Sequence, residues 1–94
     1  DYLILALGSI TGYHGVPGAA EFSFPLKTLN DAMILRNHVI DMFERADLET
    51  DPDTRRKLLT FVVAGGGYTG IEVAAELNDY VSASRRFYRN VKAG

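Results

Sequence analysis

Three glycines near the middle of the chain have a spacing that suits phosphate binding. The stretch that contains them reads Gly65, Gly66, Gly67, Tyr68, Thr69, Gly70. In this spacing the first glycine permits a tight turn, Gly67 lets a phosphate approach the backbone, and Gly70 lets a following helix lie close to the preceding strand. The first amides of that helix would face the phosphates, and Thr69 could add a hydroxyl donor. The turn therefore predicts a site for the pyrophosphate of a dinucleotide.

The segments on either side of this turn are the elements that must position it. Residues 60–64 are apolar and β-branched, which favours a buried strand, and residues 71–76 begin a helical pattern. This order of strand, glycine turn and helix favours dinucleotide binding over a purely structural turn, although both interpretations stay open. The acid that binds ribose should follow about 20 residues after the last glycine. Residues 89–94 are basic instead, so we expect the chain to be a piece of a longer protein.

Composition limits the class of protein. The chain has 94 residues, 47% of them hydrophobic, and a net charge of −2. These values indicate one domain at most and give no general attraction to nucleic acid or to an anionic membrane. No apolar run reaches the length of about 18 residues that suggests a membrane span. The absence of cysteine excludes disulfides and thiolate metal sites from these residues, and no metal site is predicted.

A second apolar segment opens the chain. Residues 2–7 are apolar without alternation, which is typical of a strand buried on both faces of a parallel sheet. Gly8 and Ser9 end this segment, and residues 10–26 carry enough glycine and proline to predict a loop. A strand of this kind needs neighbours on both edges, and the chain offers only one other strong strand.

Two long helices are predicted between and after these strands. The first covers residues 28–49, with Thr28 as its N-cap and Asp31 completing a shortened capping box. Its expected core stripe is Leu29, Ala32, Met33, Val39, Ile40, Phe43 and Ala46. Asp51 is then expected to cap a short helix that begins at Pro52.

The second long helix is predicted over residues 69–88. Its expected apolar face comprises Ile71, Ala74, Ala75, Leu77, Val81 and Phe87. The basic residues near its end are Arg85, Arg86, Arg89 and Lys92. Cations are favourable at a helix C-terminus, so these residues are interpreted as solvated charges in preference to a phosphate or nucleic-acid site.

The combination of motifs resembles one group of flavoproteins. Residues 1–9, followed by Gly15-Val16-Pro17-Gly18, resemble the second flavin-contacting segment of flavoprotein reductases with two dinucleotide domains, with Leu7 where threonine is usual. The later segments resemble the type II NADH dehydrogenases, which are single-chain NADH:quinone oxidoreductases within the pyridine nucleotide-disulfide oxidoreductase-like FAD/NAD(P)-binding family. Those segments are residues 24–32, 35–38, 43–46 and 59–72.

This resemblance implies cofactor contacts at the matched positions only. FAD would lie near the end of the first strand, and the NADH pyrophosphate would lie on the glycine turn. Glu72 would be placed towards the nicotinamide, although a carboxylate near a helix start is also favourable by itself. Tyr68 stands where proline is common. The implied cofactor-binding residues are Leu7, Gly8, Ser9, Gly65, Gly66, Gly67, Tyr68, Thr69, Gly70 and Glu72, and no catalytic residue is assigned.

The resemblance also implies a fold class and a division into domains. The expected fold is α/β: a partial Rossmann-like FAD/NAD(P)-binding fragment with two parallel-type strands, two long helices and an incomplete sheet. Residues 1–27 would end the FAD-binding domain, residues 28–58 would form connecting helices, and residues 59–94 would begin the NAD(H)-binding domain. Exposed sheet edges and amphipathic helices lead us to expect self-association of the chain.

The activity implied by the resemblance is hydride transfer from NADH to FAD and onward reduction of a quinone, with the cofactor supplying the redox chemistry. The parent protein would be the enzyme, and these residues alone are expected to be inactive. Its partners would be NADH and a quinone and not nucleic acid, and it would be cytoplasmic or peripheral to the inner face of a membrane. Two alternatives remain: a related ferredoxin or disulfide reductase, and a non-catalytic nucleotide-binding module.

Overall fold

The computed structural model describes residues 2–91, which form helices joined by irregular backbone. Within that range the elements are α1 (Ala19–Phe22), α2 (Leu29–Leu48), α3 (Pro52–Leu58), α4 (Tyr68–Ser84) and a 3-10 turn (Arg85–Phe87). The chain divides into two compact units between His38 and Val39, a point that falls inside α2. None of these helices is both long enough and apolar enough to cross a membrane.

Neither predicted strand forms, so the predicted α/β fold class with an incomplete sheet is wrong for residues 2–91. Residues 2–7 and 60–64 have no regular secondary structure, and no strand occurs anywhere in residues 2–91. The large side chains between Tyr2 and Leu7 are at least 75% exposed. A strand exists only where its N–H and C=O groups pair with those of a neighbouring strand. These segments are apolar enough to be buried strands, but residues 2–91 contain no neighbouring strand with which they could pair.

The start of α2 is fixed by a reciprocal pair of hydrogen bonds, as predicted. The Thr28 N–H donates to Asp31 Oδ2 over 2.8 Å, and the Asp31 N–H donates to Thr28 Oγ1 over 3.1 Å. The Lys27 N–H also donates to Asp31 Oδ2, over 3.0 Å. These bonds, led by that from the Thr28 backbone, hold the pKa of Asp31 below its ordinary value because they stabilise the carboxylate. The capping box is therefore confirmed, with aspartate in the role that glutamate usually takes.

Only the second half of α2 supplies a core. Val39, Phe43 and Ala46 are buried, as the periodicity predicted, and the Phe43 ring lies 6.5 Å from that of Phe61 and 5.3 Å from that of Tyr88, centroid to centroid. The expected core positions in the first half are wrong at two large side chains, because they are exposed. They are Leu29 (80% exposed) and Met33 (51% exposed).

The helix α3 is capped and tied to the end of α2 by polar contacts. Asp51 Oδ2 accepts from the Thr54 N–H (2.8 Å) and from its hydroxyl (2.6 Å), and Pro52 opens the helix as predicted. These bonds, the hydroxyl first, lower the pKa of Asp51. The Arg55 guanidinium donates to the carbonyl oxygens of Ala46 and Glu49. The last carbonyl oxygens of a helix lack intrahelical donors. Arg55 therefore supplies hydrogen bonds that α2 itself cannot make at its C-terminal end.

The helix α4 ends earlier than predicted. It stops at Ser84, and the 3-10 turn follows it, so Arg85 and Arg86 lie outside its last turn. Beyond the 3-10 turn, Asn90 binds the end of α2. Its backbone N–H donates to Asp47 Oδ1 (2.7 Å), and its Nδ2 donates to the Asp47 carbonyl oxygen (2.8 Å). Lys92, the last of the predicted cations, lies outside the described residues. No residue of α4 is buried. On its predicted apolar face, Leu77 and Val81 are half-buried and Ile71 is exposed.

Candidate functional site

The glycine turn leads directly into α4. Gly65 has a φ of 126°, a conformation that favours glycine, and Gly67 is the N-cap in an extended conformation (φ −76°, ψ 178°). The Ile71 N–H donates to the Gly67 carbonyl oxygen over 3.1 Å. The helix begins at Tyr68, one residue before the predicted start, and the side chains of Tyr68 and Thr69 are exposed.

Gly70 lies against the backbone of Gly65. A Cβ added at Gly70 would overlap the carbonyl oxygen of Gly65 and lie only 2.9 Å from its carbonyl carbon. No other residue type fits this position without movement of the backbone. Gly70 thus allows the first turn of α4 to lie close to the preceding backbone. That backbone is irregular, whereas the sequence predicted a strand there.

The other side of the turn is open. A Cβ added at Gly66 or Gly67 would meet nothing within 4 Å. The first N–H groups of α4 have no intrahelical acceptor, the N-cap has no side chain that could satisfy them, and the first turn contains no acidic residue. Amide donors at the positive end of a helix dipole, beside backbone without side chains at Gly66 and Gly67, suit a phosphate group. The turn therefore fits a dinucleotide pyrophosphate.

Glu72 is exposed and lies just beyond the first turn of α4. The sequence-based alternative for this residue, a carboxylate favoured by the helix start, relied on a first-turn position. Since the helix begins at Tyr68, that reason does not apply to Glu72.

The predicted flavin-contacting residues lie in the first unit. Leu7, Gly8 and Ser9 are all exposed, and Gly8 has a φ of 72° with open space where a Cβ would stand. The Lys27 Nζ donates to Ser9 Oγ over 2.7 Å. The sequence alone does not predict Lys27 as a site residue. No local pattern could have indicated it, because it stands 18 positions after Ser9 in a segment whose sequence signals only a helix start.

The second unit also contains a cleft that shares no residue with the predicted site. Its volume is about 390 Å³, and Phe43, Arg55, Arg56 and Arg85 are among its lining residues. Arg55 is engaged with carbonyl oxygens of α2, and Arg56 Nη2 lies 3.3 Å from Asp53 Oδ1. Over the described part of the chain, no group of three or more histidine or carboxylate side chains is arranged to hold a metal ion.

Comparison with known proteins identifies the family. Residues 1–91 match the family described as pyridine nucleotide-disulphide oxidoreductase. The chain belongs to this family. The match spans both the predicted flavin segment and the glycine turn, so each set of candidate residues lies in the part of the chain that carries the family's pattern.

Individual relatives confirm the resemblance to type II NADH dehydrogenases. An external alternative NADH-ubiquinone oxidoreductase of Yarrowia lipolytica is 44% identical over 80 residues, which are 85% of this chain and 14% of that protein. The type II NADH:quinone oxidoreductase Ndh of Mycobacterium tuberculosis is 43% identical over 77 residues, 82% of this chain and 17% of that protein. The external alternative NAD(P)H-ubiquinone oxidoreductase B1 of Arabidopsis thaliana is 44% identical over 94 residues, 98% of this chain and 16% of that protein.

The chain therefore spans only between 14% and 17% of the length of these relatives. No solved structure matches it significantly.

Proposed function

We propose that the chain is a segment of a flavin-dependent enzyme that transfers hydride from NADH to FAD and passes the electrons to a quinone. The observation that carries the proposal is the open glycine turn at the start of α4, where Gly70 admits no side chain and Gly67 leaves the helix amides uncovered. The names of the relatives, which are NADH or NAD(P)H oxidoreductases that use ubiquinone or quinone, support the choice of substrates.

The residues of this segment would bind and orient two cofactors. The backbone of the glycine turn would hold the NADH pyrophosphate, Thr69 would add a hydroxyl donor, and Tyr68 would stand beside the nucleotide. Glu72 would lie towards the nicotinamide. Leu7, Gly8 and Ser9 would contact FAD. The bound flavin supplies the redox chemistry, and the segment alone would be inactive because the rest of the catalytic centre lies elsewhere in the parent protein.

The parent protein would carry the segment across a domain junction. Residues 1–27 would end its FAD-binding domain, residues 28–58 would connect, and residues 59–94 would begin its NAD(H)-binding domain. The parent protein would be cytoplasmic or peripheral to the inner face of a membrane, and its quinone partner favours a place at a membrane. The mitochondrial setting in the names of the Yarrowia and Arabidopsis relatives is consistent with an enzyme that meets a membrane quinone.

The test is an anaerobic titration of the full-length parent protein. Addition of NADH should bleach the visible flavin band, and addition of a quinone should restore it. If a disulfide or oxidised ferredoxin restores the flavin band and a quinone does not, the parent protein is a disulfide or ferredoxin reductase and not a quinone reductase. If the parent protein binds no flavin, or if NADH does not bleach its flavin band, the proposed hydride transfer is rejected. A non-catalytic nucleotide-binding module then becomes the better interpretation.

A further inference from the structure

Lys27 is held at both ends. Its backbone N–H donates to Asp31 Oδ2 over 3.0 Å, within the capping box of α2, and its Nζ donates to Ser9 Oγ over 2.7 Å. The capping box therefore fixes the backbone from which the ammonium group reaches the end of the first apolar segment. Among the side-chain hydrogen bonds of the first unit, that from Lys27 to Ser9 joins the most distant positions in the sequence, 18 residues apart.

The direction of this hydrogen bond determines what Ser9 can do. An ammonium group has three donors and no acceptor, whereas a hydroxyl has one donor and two acceptor lone pairs. Since Lys27 donates to Ser9 Oγ, the Ser9 O–H proton is left for another acceptor. Two N–H groups of Lys27 also remain, and the neighbouring Gly8 presents bare backbone with nothing within 4 Å of a Cβ position. The three residues thus offer donors and a positive charge at one exposed point.

We infer that Lys27 is a positioning residue of the proposed flavin site, one that sets the Ser9 hydroxyl as a donor to a phosphate oxygen of FAD. The inference rests on the proposed function. A phosphate oxygen is the acceptor that this cluster favours, because charge-assisted hydrogen bonds to an ionised oxygen are shorter and stronger than neutral ones. The Asp31 carboxylate accepts the backbone N–H groups of Lys27 and Thr28 at Oδ2, whereas the Lys27 ammonium group donates to Ser9 Oγ.

The experiment measures the rate at which FAD leaves the full-length flavoprotein, at low and high salt. Lys27→Met keeps the length of the side chain and removes its charge and donors. It should accelerate FAD release about 10-fold, the effect of losing one hydrogen bond to a charged group, and should weaken the salt dependence of release. Ser9→Ala removes the hydroxyl through which Lys27 acts, so it should accelerate release by at least the same factor. The double variant should resemble Ser9→Ala, because the two side chains act as a unit.

Two further variants serve as controls. Lys27→Arg, which retains the charge and donors, should restore slow release, and Lys57→Met, which removes an exposed lysine of α3, should leave release unchanged. If the wild-type protein holds FAD but Lys27→Met releases it at the same rate with the same salt dependence, the role of Lys27 is overturned and the proposed function stands. If additive effects appear in the double variant, the coupling through Ser9 is overturned. If the wild-type protein holds no FAD, both proposals fail.

Discussion

At position 70 a methyl group would have to occupy space that the Gly65 carbonyl already fills. The carbonyl carbon lies 2.9 Å from the ideal Cβ position, and the neighbour is backbone, which cannot rotate away as a side chain would. Gly66, four residues earlier, has open space at the same place. The two glycines therefore differ in what they do. Glycine is required at position 70 by this contact, whereas position 66 has room for a side chain.

We expect Gly70→Ala to destabilise the chain by about 1–3 kcal/mol, the usual cost of overpacking. Gly66→Ala is the matched control, and its effect on stability should be within about 0.5 kcal/mol. Urea unfolding followed by far-UV circular dichroism gives both values. Equal midpoints for the two variants would show that the approach of Gly70 to Gly65 contributes nothing to stability.

Two aspartates make the helix starts sensitive to acid. The pKa values of Asp31 and Asp51 are both lowered by hydrogen bonds that require the carboxylate. A lowered folded-state pKa contributes stability that is fully present above the ordinary value of 3.8 and is lost as the pH falls through the folded-state value. Helical circular dichroism should therefore decrease as the pH falls below 3.8.

The control for this acid transition is the double variant Asp31→Asn, Asp51→Asn. Asparagine keeps a side-chain oxygen that accepts from backbone N–H groups, but it does not titrate in this range. The acid-induced loss of helix should be smaller in the variant than in the wild-type chain. An identical transition in both would assign it to other carboxylates.

Among the elements, α2 differs most between its two halves. Its second half packs Phe43 against Phe61 and Tyr88, whereas Leu29 and Met33 in its first half are exposed. The same environment raises the pKa of Tyr88, first through burial and then through the nearby Glu44 carboxylate. Most of the stability that α2 gains from tertiary packing should therefore come from residues after His38.

Phe43→Ala should cost about 3–5 kcal/mol, as is typical of removing a buried aromatic ring. This is a large part of the 5–15 kcal/mol that holds an average domain together, so the cooperative thermal transition should be greatly weakened or lost. Ile34→Ala, a truncation at an exposed position of the same helix, should change stability by about 0.5 kcal/mol or less. A comparable loss in both variants would contradict the unequal division of α2.

The elements that could be predicted are those whose signals are local. Thr28 with Asp31, and Asp51 with Pro52, define helix starts through contacts within four residues, and both starts are confirmed. The strands could not be predicted in this way. Residues 2–7 and 60–64 have strand-like composition, but a strand depends on hydrogen bonds to a neighbour, and local sequence does not reveal whether that neighbour is present. Lys27 was missed for the same reason, since its contact with Ser9 is not local.

Over the described part of the molecule, the largest exposed apolar run is its first segment. Tyr2, Leu3, Ile4, Leu5 and Leu7 are each at least 75% exposed, and Val62 in the second segment is 87% exposed. Uncharged β-prone segments without backbone partners are the usual sites of pairing between copies. We therefore propose that the isolated chain self-associates, with one copy pairing its first segment with that of another.

Leu5→Lys should reduce this association, because paired copies would bring like charges together in the middle of the segment. Sedimentation velocity at increasing concentration should show a shift towards the monomer relative to the wild-type chain. Val16→Lys, at a 59% exposed position outside the segment, is the matched control and should associate as the wild type does. A wild-type chain that sediments as a monomer at all concentrations would exclude self-association.

The contact between Gly70 and Gly65 has a consequence at the level of the gene. Every missense change in the codon for Gly70 introduces a Cβ, so no substitution there is conservative and the severity of an allele should depend little on which amino acid it introduces. A codon for an exposed residue such as Thr69 permits graded changes. Variants at the two neighbouring codons should therefore differ: substitutions of Gly70 should share one large effect, whereas those of Thr69 should range from slight to severe.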